Sequence, residues 1–328
     1  MSFDASPEPT LVRLLRDRSE TRQQHARAAT RGLEVRVARG AYVARETWEG
    51  LDARGRHLLR MMAIARTREL PPVFSHWSAA VAHGLPLFGP PPNRVHVLVP
   101  RGSGGRSKGG VAAHASELPP EDEAEVAGLR CTSPERTAAD LAATAPTDEA
   151  IAIADHVLRR RASGPHISDV ETRRDRMLAA WMRAQPMRGH RRSLDVIIRA
   201  DARADSPLES VSRVSMHAAG VPEPELQVPF YDGAGLIGYV DFAWPAHSVV
   251  GEADGDAKYL DASLRGGRSA ERVVLDEKIR EDRLRALGLR VVRWRWATAR
   301  DPRALSALLT AAGLPIDTSD EWVARRPL

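Results

Sequence analysis

The chain of 328 residues is poor in cysteine, in lysine and in long apolar runs. A single cysteine, Cys131, excludes an intrachain disulfide framework and any zinc or iron–sulfur site that needs several cysteines. No apolar run approaches the roughly 18 residues of a membrane-spanning helix, and the N-terminal stretch lacks the layout of a secretory signal. We therefore expect a cytoplasmic protein without a membrane segment.

The scarcity of lysine gives the few that are present more weight. Of the 48 basic residues only Lys108, Lys258 and Lys278 are lysine. An amine can change its pKa and take part in proton transfer, whereas a guanidinium group stays charged. Two of these lysines, Lys258 and Lys278, lie beside a set of carboxylates near the C-terminus.

The charge of the chain is unevenly distributed. The formal net charge is +5, but residues 206–328 carry 16 basic and 18 acidic side chains, a net of −2, which leaves +7 for residues 1–205. The positive field therefore lies upstream of the C-terminal carboxylates, where it favours a nucleic-acid partner.

The N-terminal pattern predicts a winged helix. Residues 9–31 read as two helices, and residues 33–37 and 40–43 alternate as two strands around a turn at Arg39 and Gly40. Nine arginines stand against three acidic residues between Arg13 and Arg45, which suits phosphate contacts from DNA. The alternative is an ordinary solvated surface. The candidate DNA-binding residues are Arg22, Arg27, Arg31, Arg36 and Arg39.

The middle of the chain predicts a second module and a basic connector. A helix over 51–68 is followed by a helix over 76–83, strands over 94–100 and near 126–131, and helices from 134 and over 147–161. Residues 159–203 hold twelve arginines against five acidic residues. Such a helical connector could follow a nucleic-acid backbone, or it could be a solvated linker.

The C-terminal pattern predicts one further α/β module. Its order is helix 207–219, strands 226–231, 236–244 and 247–253, helix 270–287, strand 289–295 and helix 302–312. The fold class expected from the sequence is α+β multidomain. Its parts are a winged helix at 1–70, an α/β domain at 71–161, a basic helical connector at 162–205 and an αβββαβ domain at 206–328.

Three carboxylates in the last module predict a magnesium site. Glu209 lies on the first helix, and Asp241 and Glu252 interrupt apolar strand residues. Removing unpaired carboxylates from water costs several kcal/mol unless a cation or hydrogen-bond donors compensate. A hard divalent ion held by carboxylates and waters would supply that compensation. Asp254, two residues after Glu252, would share its strand face and repel it without a cation.

Each of these residues also has a structural explanation. Glu209 completes a capping box that begins at Ser206, and Asp241 can be a solvent-facing residue of an alternating strand. Lys258 could stabilise phosphoryl charge or activate water, or it could be a surface lysine. For Arg280, the sequence favours an exposed ion pair within its own helix.

Residues 9–160 resemble the AbiEi-type antitoxin family of actinobacteria. The resemblance is carried by Val37-Ala-Arg-Gly-Ala-Tyr-Val43, Ser78-Ala-Ala-Val-Ala-His-Gly-Leu85, Val95-His-Val-Leu-Val-Pro100 and Cys131-Thr-Ser-Pro-Glu-Arg-Thr-Ala-Ala-Asp140. It implies an N-terminal winged helix that binds promoter DNA and a following AbiEi-like domain associated with neutralising a nucleotidyltransferase toxin.

Residues 206–296 are similar to very-short-patch-repair-like endonuclease domains of the PD-(D/E)XK superfamily. The matching residues are Ser206-Pro-Leu-Glu-Ser210, Gln227, Val240-Asp-Phe242, Glu252-Ala-Asp-Gly255, Glu277 to Leu284 and Val291-Val-Arg-Trp294. The resemblance implies that Asp241 and Glu252 hold Mg²⁺ and that Glu209 completes the site. Asp254 stands where the superfamily often has lysine, so Lys258 or Lys278 would have to replace that lysine, or Asp254 would add a ligand.

Two hypotheses follow from the sequence. The first is a DNA-binding protein whose C-terminal domain is a magnesium-dependent endonuclease, with Asp241, Glu252, Asp254 and Lys258 as catalytic residues. The alternative is a non-enzymatic antitoxin-like autoregulator whose nuclease-like domain serves binding or dimerisation, which would allow a homodimer. DNA is the partner in both, and a nucleotidyltransferase toxin is a further partner in the second.

Overall fold

The computed structural model describes residues 13–14, 19–102, 107–159, 168–255 and 270–317. In this part of the chain helices and several sheets are mixed, which agrees with the expected α+β class. The chain divides into two compact units: unit 1 is Met1–Ala145 with Glu171–Ile197, and unit 2 is Pro146–Val170 with Ile198–Leu328. The four-part division expected from the sequence stays a prediction. None of the described helices has both the length and the apolar character of a membrane span.

Unit 1 begins with a three-stranded antiparallel sheet and its helices. The strands are β1 (Arg13–Leu14), β2 (Glu34–Ala38) and β3 (Ala41–Ala44), in the order β1-β3-β2. The helices are α1 (Ser19–Thr30), α2 (Arg45–Gly50) and α3 (Ala53–Thr67). Buried Ala41 and Val43 of β3 pack against Leu59 and Ala63 of α3. Gly40 makes the turn between β2 and β3 at φ +76°, a conformation that glycine adopts without steric cost.

The two helices predicted over residues 9–31 are only partly correct. The second is α1, but Arg13 and Leu14 form a strand that pairs with Tyr42 and Ala41. The strand pairing of these residues with the edge of β3 outweighs their local preference for a helix, because tertiary contacts can override helix propensity. Residues 9–12 and 15–18 lie outside the described residues.

The second sheet of unit 1 has five strands. They are β4 (Val73–Phe74), β5 (Val95–Val99), β6 (Val111–Ala115), β7 (Glu123–Val126) and β8 (Leu129–Thr132), in the order β6-β5-β4-β8-β7. The accompanying helices are α4 (His76–Ala82) and α5 (Pro134–Thr144). The core beneath the sheet includes Met61, Phe74 and Cys131. The single strand predicted near 126–131 is two strands, because Ala127 and Gly128 both take positive φ and turn the chain back as a tight hairpin.

Helices α7 (Ser168–Arg183) and α8 (His190–Arg199) arise from the segment predicted as a basic helical connector. The part of this segment in unit 1 is tied to the second sheet and to α5. The hydroxyl of Ser193 donates to the carbonyl of Ala139 at 2.8 Å, and the guanidinium of Arg183 pairs with Asp122. These contacts favour a structural role for 171–197 over that of a solvated linker.

A fully buried arginine organises this part of unit 1. Arg136 on α5 is 0% exposed and pairs with Asp122 at 3.1 Å and with Asp140 at 3.0 Å. Its remaining donors reach the carbonyl of Glu117 at 3.1 Å and the hydroxyl of Ser116 at 2.6 Å. Burial raises the pKa of Asp140 to about 6, against the opposing charge of Arg136. The motif Ser133-Pro-Glu-Arg-Thr-Ala-Ala-Asp140 therefore encodes an internal ion network.

We expect Arg136→Ala to destabilise unit 1 by about 3–5 kcal/mol, because it removes the counter-charge of buried Asp140 and leaves buried Asp122 with Arg183 alone. The measurement is the urea midpoint of the full chain. Arg130→Ala removes the exposed pair of Arg130 with Glu123 and serves as the control, with an expected cost of about 1 kcal/mol or less. Equal effects of the two substitutions would contradict the assigned role of Arg136.

Unit 2 contains a four-stranded sheet with helices before, within and after it. The strands are β9 (Glu225–Asp232), β10 (Gly235–Trp244), β11 (Val249–Ala253) and β12 (Arg290–Trp294), in the order β12-β11-β10-β9. The helices are α6 (Thr147–Arg159), α9 (Pro207–Ala219), α10 (Ala270–Ala286), α11 (Trp296–Ala299) and α12 (Pro302–Ala311). β11 runs antiparallel to β10 and parallel to β12. From α9 to β12 the elements follow the order expected from the sequence.

Apolar packing fixes this sheet on both faces. Val240, Val250 and Leu284 belong to one buried cluster. Buried Trp294 donates its indole N–H to the hydroxyl of Ser212 on α9 at 2.8 Å. Gly251 of β11 has no side chain because a Cβ there would meet the Trp294 ring at 2.5 Å. The strands are thereby held in one register.

Candidate functional site

A row of polar side chains crosses all four strands of the unit 2 sheet. Glu252 of β11 pairs in register with Arg293 of β12. Phe242 of β10 pairs with Gly251, so the next residues along each strand, Asp241 and Glu252, are neighbours. The β9–β10 pairs on either side of Asp241 place Gln227 opposite it. We call Gln227, Asp241, Glu252 and Arg293 the polar row.

Gln227 links Asp241 to the first helix of the module. Its side-chain N–H₂ donates to Glu209 at 3.0 Å and to Asp241 at 3.2 Å. Gln227 takes a positive φ of 53°, a conformation that costs free energy in a residue other than glycine. The second carboxylate oxygen of Asp241 accepts from the backbone N–H of Ala253 at 2.8 Å. The predicted grouping of Glu209 and Asp241 is therefore present, with an amide between them.

Glu209 forms only half of the capping box expected at Ser206, because its carboxylate accepts from the residue before the cap. Its backbone N–H donates to the hydroxyl of Ser206, which caps α9, and its carboxylate accepts from the backbone N–H of Asp205 at 2.8 Å. The side chain is nevertheless buried and faces Asp241. Burial, together with the charge of Asp241, raises the pKa of Glu209 to about 7.

Two arginines hold Glu252, which is 5% exposed. Arg280 of α10 pairs with one carboxylate oxygen at 2.5 Å, and Arg293 pairs with the other at 3.1 Å. Burial raises the pKa of the Glu252 carboxyl more than the two guanidinium groups lower it. The expectation that Arg280 forms an exposed pair within its own helix is wrong, because its partner is a buried strand residue and its second contact is the carbonyl of Tyr239.

Arg293 also holds the residue after β11. Its guanidinium contacts Asp254 at 3.2 Å, Glu277 at 2.7 Å and Glu281 at 3.2 Å. The predicted repulsion between Glu252 and Asp254 is thus offset by an arginine that contacts both. Burial works to lower the pKa of Arg293, but the Glu277 hydrogen bond and the surrounding carboxylates raise it.

The described carboxylates do not fit a resident magnesium ion in this arrangement. Mg²⁺ needs oxygen ligands in a near-octahedral arrangement, and it binds carboxylates whose oxygens are available to it. Both oxygens of Glu252 face guanidinium groups, and both oxygens of Asp241 accept hydrogen bonds from Gln227 and Ala253. Across residues 13–14, 19–102, 107–159, 168–255 and 270–317, no three histidine, cysteine, aspartate or glutamate side chains form a group suited to a metal ion. Lys258, the other catalytic candidate, lies outside the described residues.

The candidate DNA-binding arginines lie on and beside α1 and the β2–β3 hairpin of unit 1. Arg27, Arg31, Arg36 and Arg39 are all exposed. Arg22 lies on α1, and its side chain is outside the described residues. Exposed guanidinium groups on a helix and on the adjoining hairpin can reach phosphates on either side of a groove.

A histidine that the sequence did not single out joins the helix to the hairpin. Buried His25 on α1 contacts the carboxylate of Glu34 on β2 at 2.7 Å. Its ring also stacks on Tyr42 of β3, with ring centroids 5.6 Å apart. The spacing of nine residues between His25 and Glu34 carries no local signal, so the contact could not be read from the sequence.

A histidine cluster in the second sheet of unit 1 was also missed. The ring of His76 stacks on His114 at 3.6 Å between centroids, and His114 contacts His96 at 2.9 Å. Burial lowers the pKa of all three imidazoles, that of His96 to about 4. The ring of His114 stacks on both His76 and His96, which is an arrangement typical of side-chain packing.

Comparison with known families supports one of the two resemblances, that to AbiEi antitoxins. Residues 74–187 match the AbiEi antitoxin C-terminal domain. The match begins at Phe74 in β4 and ends after α7, so it covers the five-stranded sheet, the Arg136 network and the contact of Arg183 with Asp122. It ends before Glu209, and the similarity of residues 206–296 to endonucleases stays a prediction.

Two curated relatives of this chain come from Mycobacterium tuberculosis. They are "Uncharacterized protein MT2308" of strain CDC 1551 / Oshkosh and "Uncharacterized protein Rv2248" of strain ATCC 25618 / H37Rv. Each is 29% identical over 167 residues, which is 51% of this chain and 55% of the relative. The similarity thus spans about half the length of each relative.

We expect Glu209→Gln to remove a pH dependence of stability. The pKa of Glu209 is about 7 in the folded protein and about 4.3 in an unfolded chain. Between these two pH values Glu209 is protonated in the folded state and ionised in the unfolded state. Its contribution to the free energy of unfolding is therefore fully present below about pH 4.3 and is lost as the pH rises through about 7. Urea unfolding should show the wild type losing stability from pH 5 to pH 8 relative to Glu209→Gln. Glu225→Gln, at an exposed residue of β9, is the control, and the same slope in the wild type and in Glu209→Gln would contradict the assignment.

Proposed function

We propose that this protein is a DNA-binding regulator of the antitoxin type. The match of residues 74–187 to the AbiEi antitoxin C-terminal domain is the observation that carries the proposal. In this proposal the AbiEi-like part of unit 1 neutralises a toxin, for which a nucleotidyltransferase is the expected partner. The N-terminal part of the same unit binds DNA as a winged helix.

The charge of the N-terminal part supports the DNA-binding step. The sequence from Arg13 to Arg45 holds nine arginines and three acidic residues. One of these acidic residues, Glu34, pairs with His25. Cationic side chains that neutralise phosphates release condensed counterions, which supplies sequence-independent affinity. The His25 contact keeps α1 and the hairpin in a fixed relation, so that both can engage one duplex.

In this proposal unit 2 is a folded binding or dimerisation module without hydrolytic activity. The pairing of Glu252 and Asp254 with Arg293 supports this, because it engages carboxylates that a metal-dependent nuclease would need as ligands. A magnesium-dependent endonuclease is the second candidate. The observation that favours it is the grouping of Glu209 and Asp241 around Gln227.

We expect the double variant Arg36→Ala, Arg39→Ala to bind DNA more weakly than the wild type. Each lost phosphate contact should lower the slope of log Kd against log salt by roughly 0.9, and so by roughly 2 for the pair. The measurement is fluorescence anisotropy with a labelled duplex from upstream of the protein's own gene, between low and moderate salt.

Arg130→Ala is the matched control for this experiment. Arg130 is an exposed arginine of unit 1 that pairs with Glu123, so its removal should leave the affinity and the salt slope unchanged. Wild-type binding by the double variant would reject the hairpin as a DNA-binding surface. Binding without salt dependence would reject DNA recognition through phosphates altogether.

A further inference from the structure

Four carboxylates of unit 2 contact one side chain, that of Arg293. Arg293 contacts Glu252 on β11, Asp254 just beyond it, and Glu277 and Glu281 on α10, all between 2.7 and 3.2 Å. It thereby joins carboxylates at the end of β11 to carboxylates of α10. Of these carboxylates, Glu252 is the one that the sequence assigned to a divalent metal ion together with Glu209 and Asp241.

A guanidinium group is chemically suited to that role. It stays protonated in proteins and presents five donors in a rigid plane, so one group can serve several carboxylates at once. Nη1 of Arg293 donates hydrogen bonds to Asp254 and Glu277, while Nη2 lies 3.1 Å from Glu252 and Nε lies 3.2 Å from Glu281 as ion pairs without hydrogen bonds. Arg280 adds a second positive charge on the other oxygen of Glu252.

The position of these arginines is set by the fold. Arg293 is the in-register partner of Glu252 on a parallel strand, and its neighbour Trp294 is buried. The backbone N–H of Asp254 donates to the carbonyl of Trp294 at 2.9 Å. Strand pairing therefore holds the backbone of Arg293 beside Glu252 and Asp254.

We infer that Arg293 and Arg280 are the built-in cations for Glu252 and its acidic neighbours, and that for Glu252 they take the place of the metal ion that the sequence predicted. The inference concerns the charge balance of unit 2 and does not rest on DNA binding by unit 1. It predicts that folded unit 2 is indifferent to chelators and to divalent ions. It also predicts that the site becomes cation-responsive once an arginine is removed.

The test is the melting temperature of the full chain with EDTA, Mg²⁺ or Mn²⁺. The wild type should melt at the same temperature in all three. Arg280→Gln and Arg293→Gln should each lower the melting temperature of the unit 2 transition by at least about 3 °C, and Mn²⁺ should restore part of the loss. Arg272→Gln, which removes an exposed pair with Asp276 on the same helix, should have little effect and no response to Mn²⁺.

A second substitution separates charge balance from packing. Glu252→Gln should lower the melting temperature of the wild type but raise that of Arg280→Gln, because in the variant it removes a buried charge that has lost one of its two counter-charges. Arg280→Gln is the informative background even if Arg293→Gln does not fold, since Arg280 contacts fewer carboxylates.

Two results would overturn the inference. One is a saturable rise of the wild-type melting temperature with Mn²⁺ that disappears in Asp241→Asn, because the site would then hold a metal ion. The other is an Arg280→Gln variant that responds neither to Mn²⁺ nor to Glu252→Gln, because the arginine would then act through packing alone.

Discussion

The pairing of Glu252 with Arg293 across two neighbouring strands is the interaction on which the account of unit 2 depends. Apolar residues on both faces of the sheet fix its register, and a slip of one residue would turn every side chain to the opposite face. Gln227, Asp241, Glu252 and Arg293 must therefore stay in one row. With the carboxylates unable to move apart, the sheet needs positive charge at that place, and β12 and α10 supply it.

Unit 1 compensates buried charge in the same way. Arg136 lies between Asp122 and Asp140 without exposure to solvent, and Arg183 adds a second contact to Asp122. These arginines differ from those of α1 and the β2–β3 hairpin, which are exposed and suited to phosphates. A count of arginines along the chain mixes the two kinds, so the large positive charge of residues 1–205 overstates the surface available to a nucleic acid.

Sequence patterns predicted unit 2 better than unit 1. Alternating residues predicted a strand over 236–244, where the structure has β10 at Gly235–Trp244, and the Ser206 cap predicted the start of α9 at Pro207. The two-residue strands β1 and β4 are too short to show a period, and the alanine-rich β6 has too little contrast between its faces. The structure brings Glu209 and Asp241 together through Gln227, but the arginines that hold Glu252 were not found from the sequence. Their contacts with Glu252 join residues far apart in sequence, and such contacts leave no local pattern.

The central claim is that this chain binds DNA and that its acidic site is balanced by arginine instead of a catalytic metal. Incubation of supercoiled plasmid with the full chain and Mg²⁺, followed by gels run with and without protein removal, tests both parts together. The account predicts a retarded plasmid that returns to the supercoiled position when the protein is removed, for the wild type and for Asp241→Asn alike. Nicked or linear plasmid produced by the wild type but not by Asp241→Asn would contradict it.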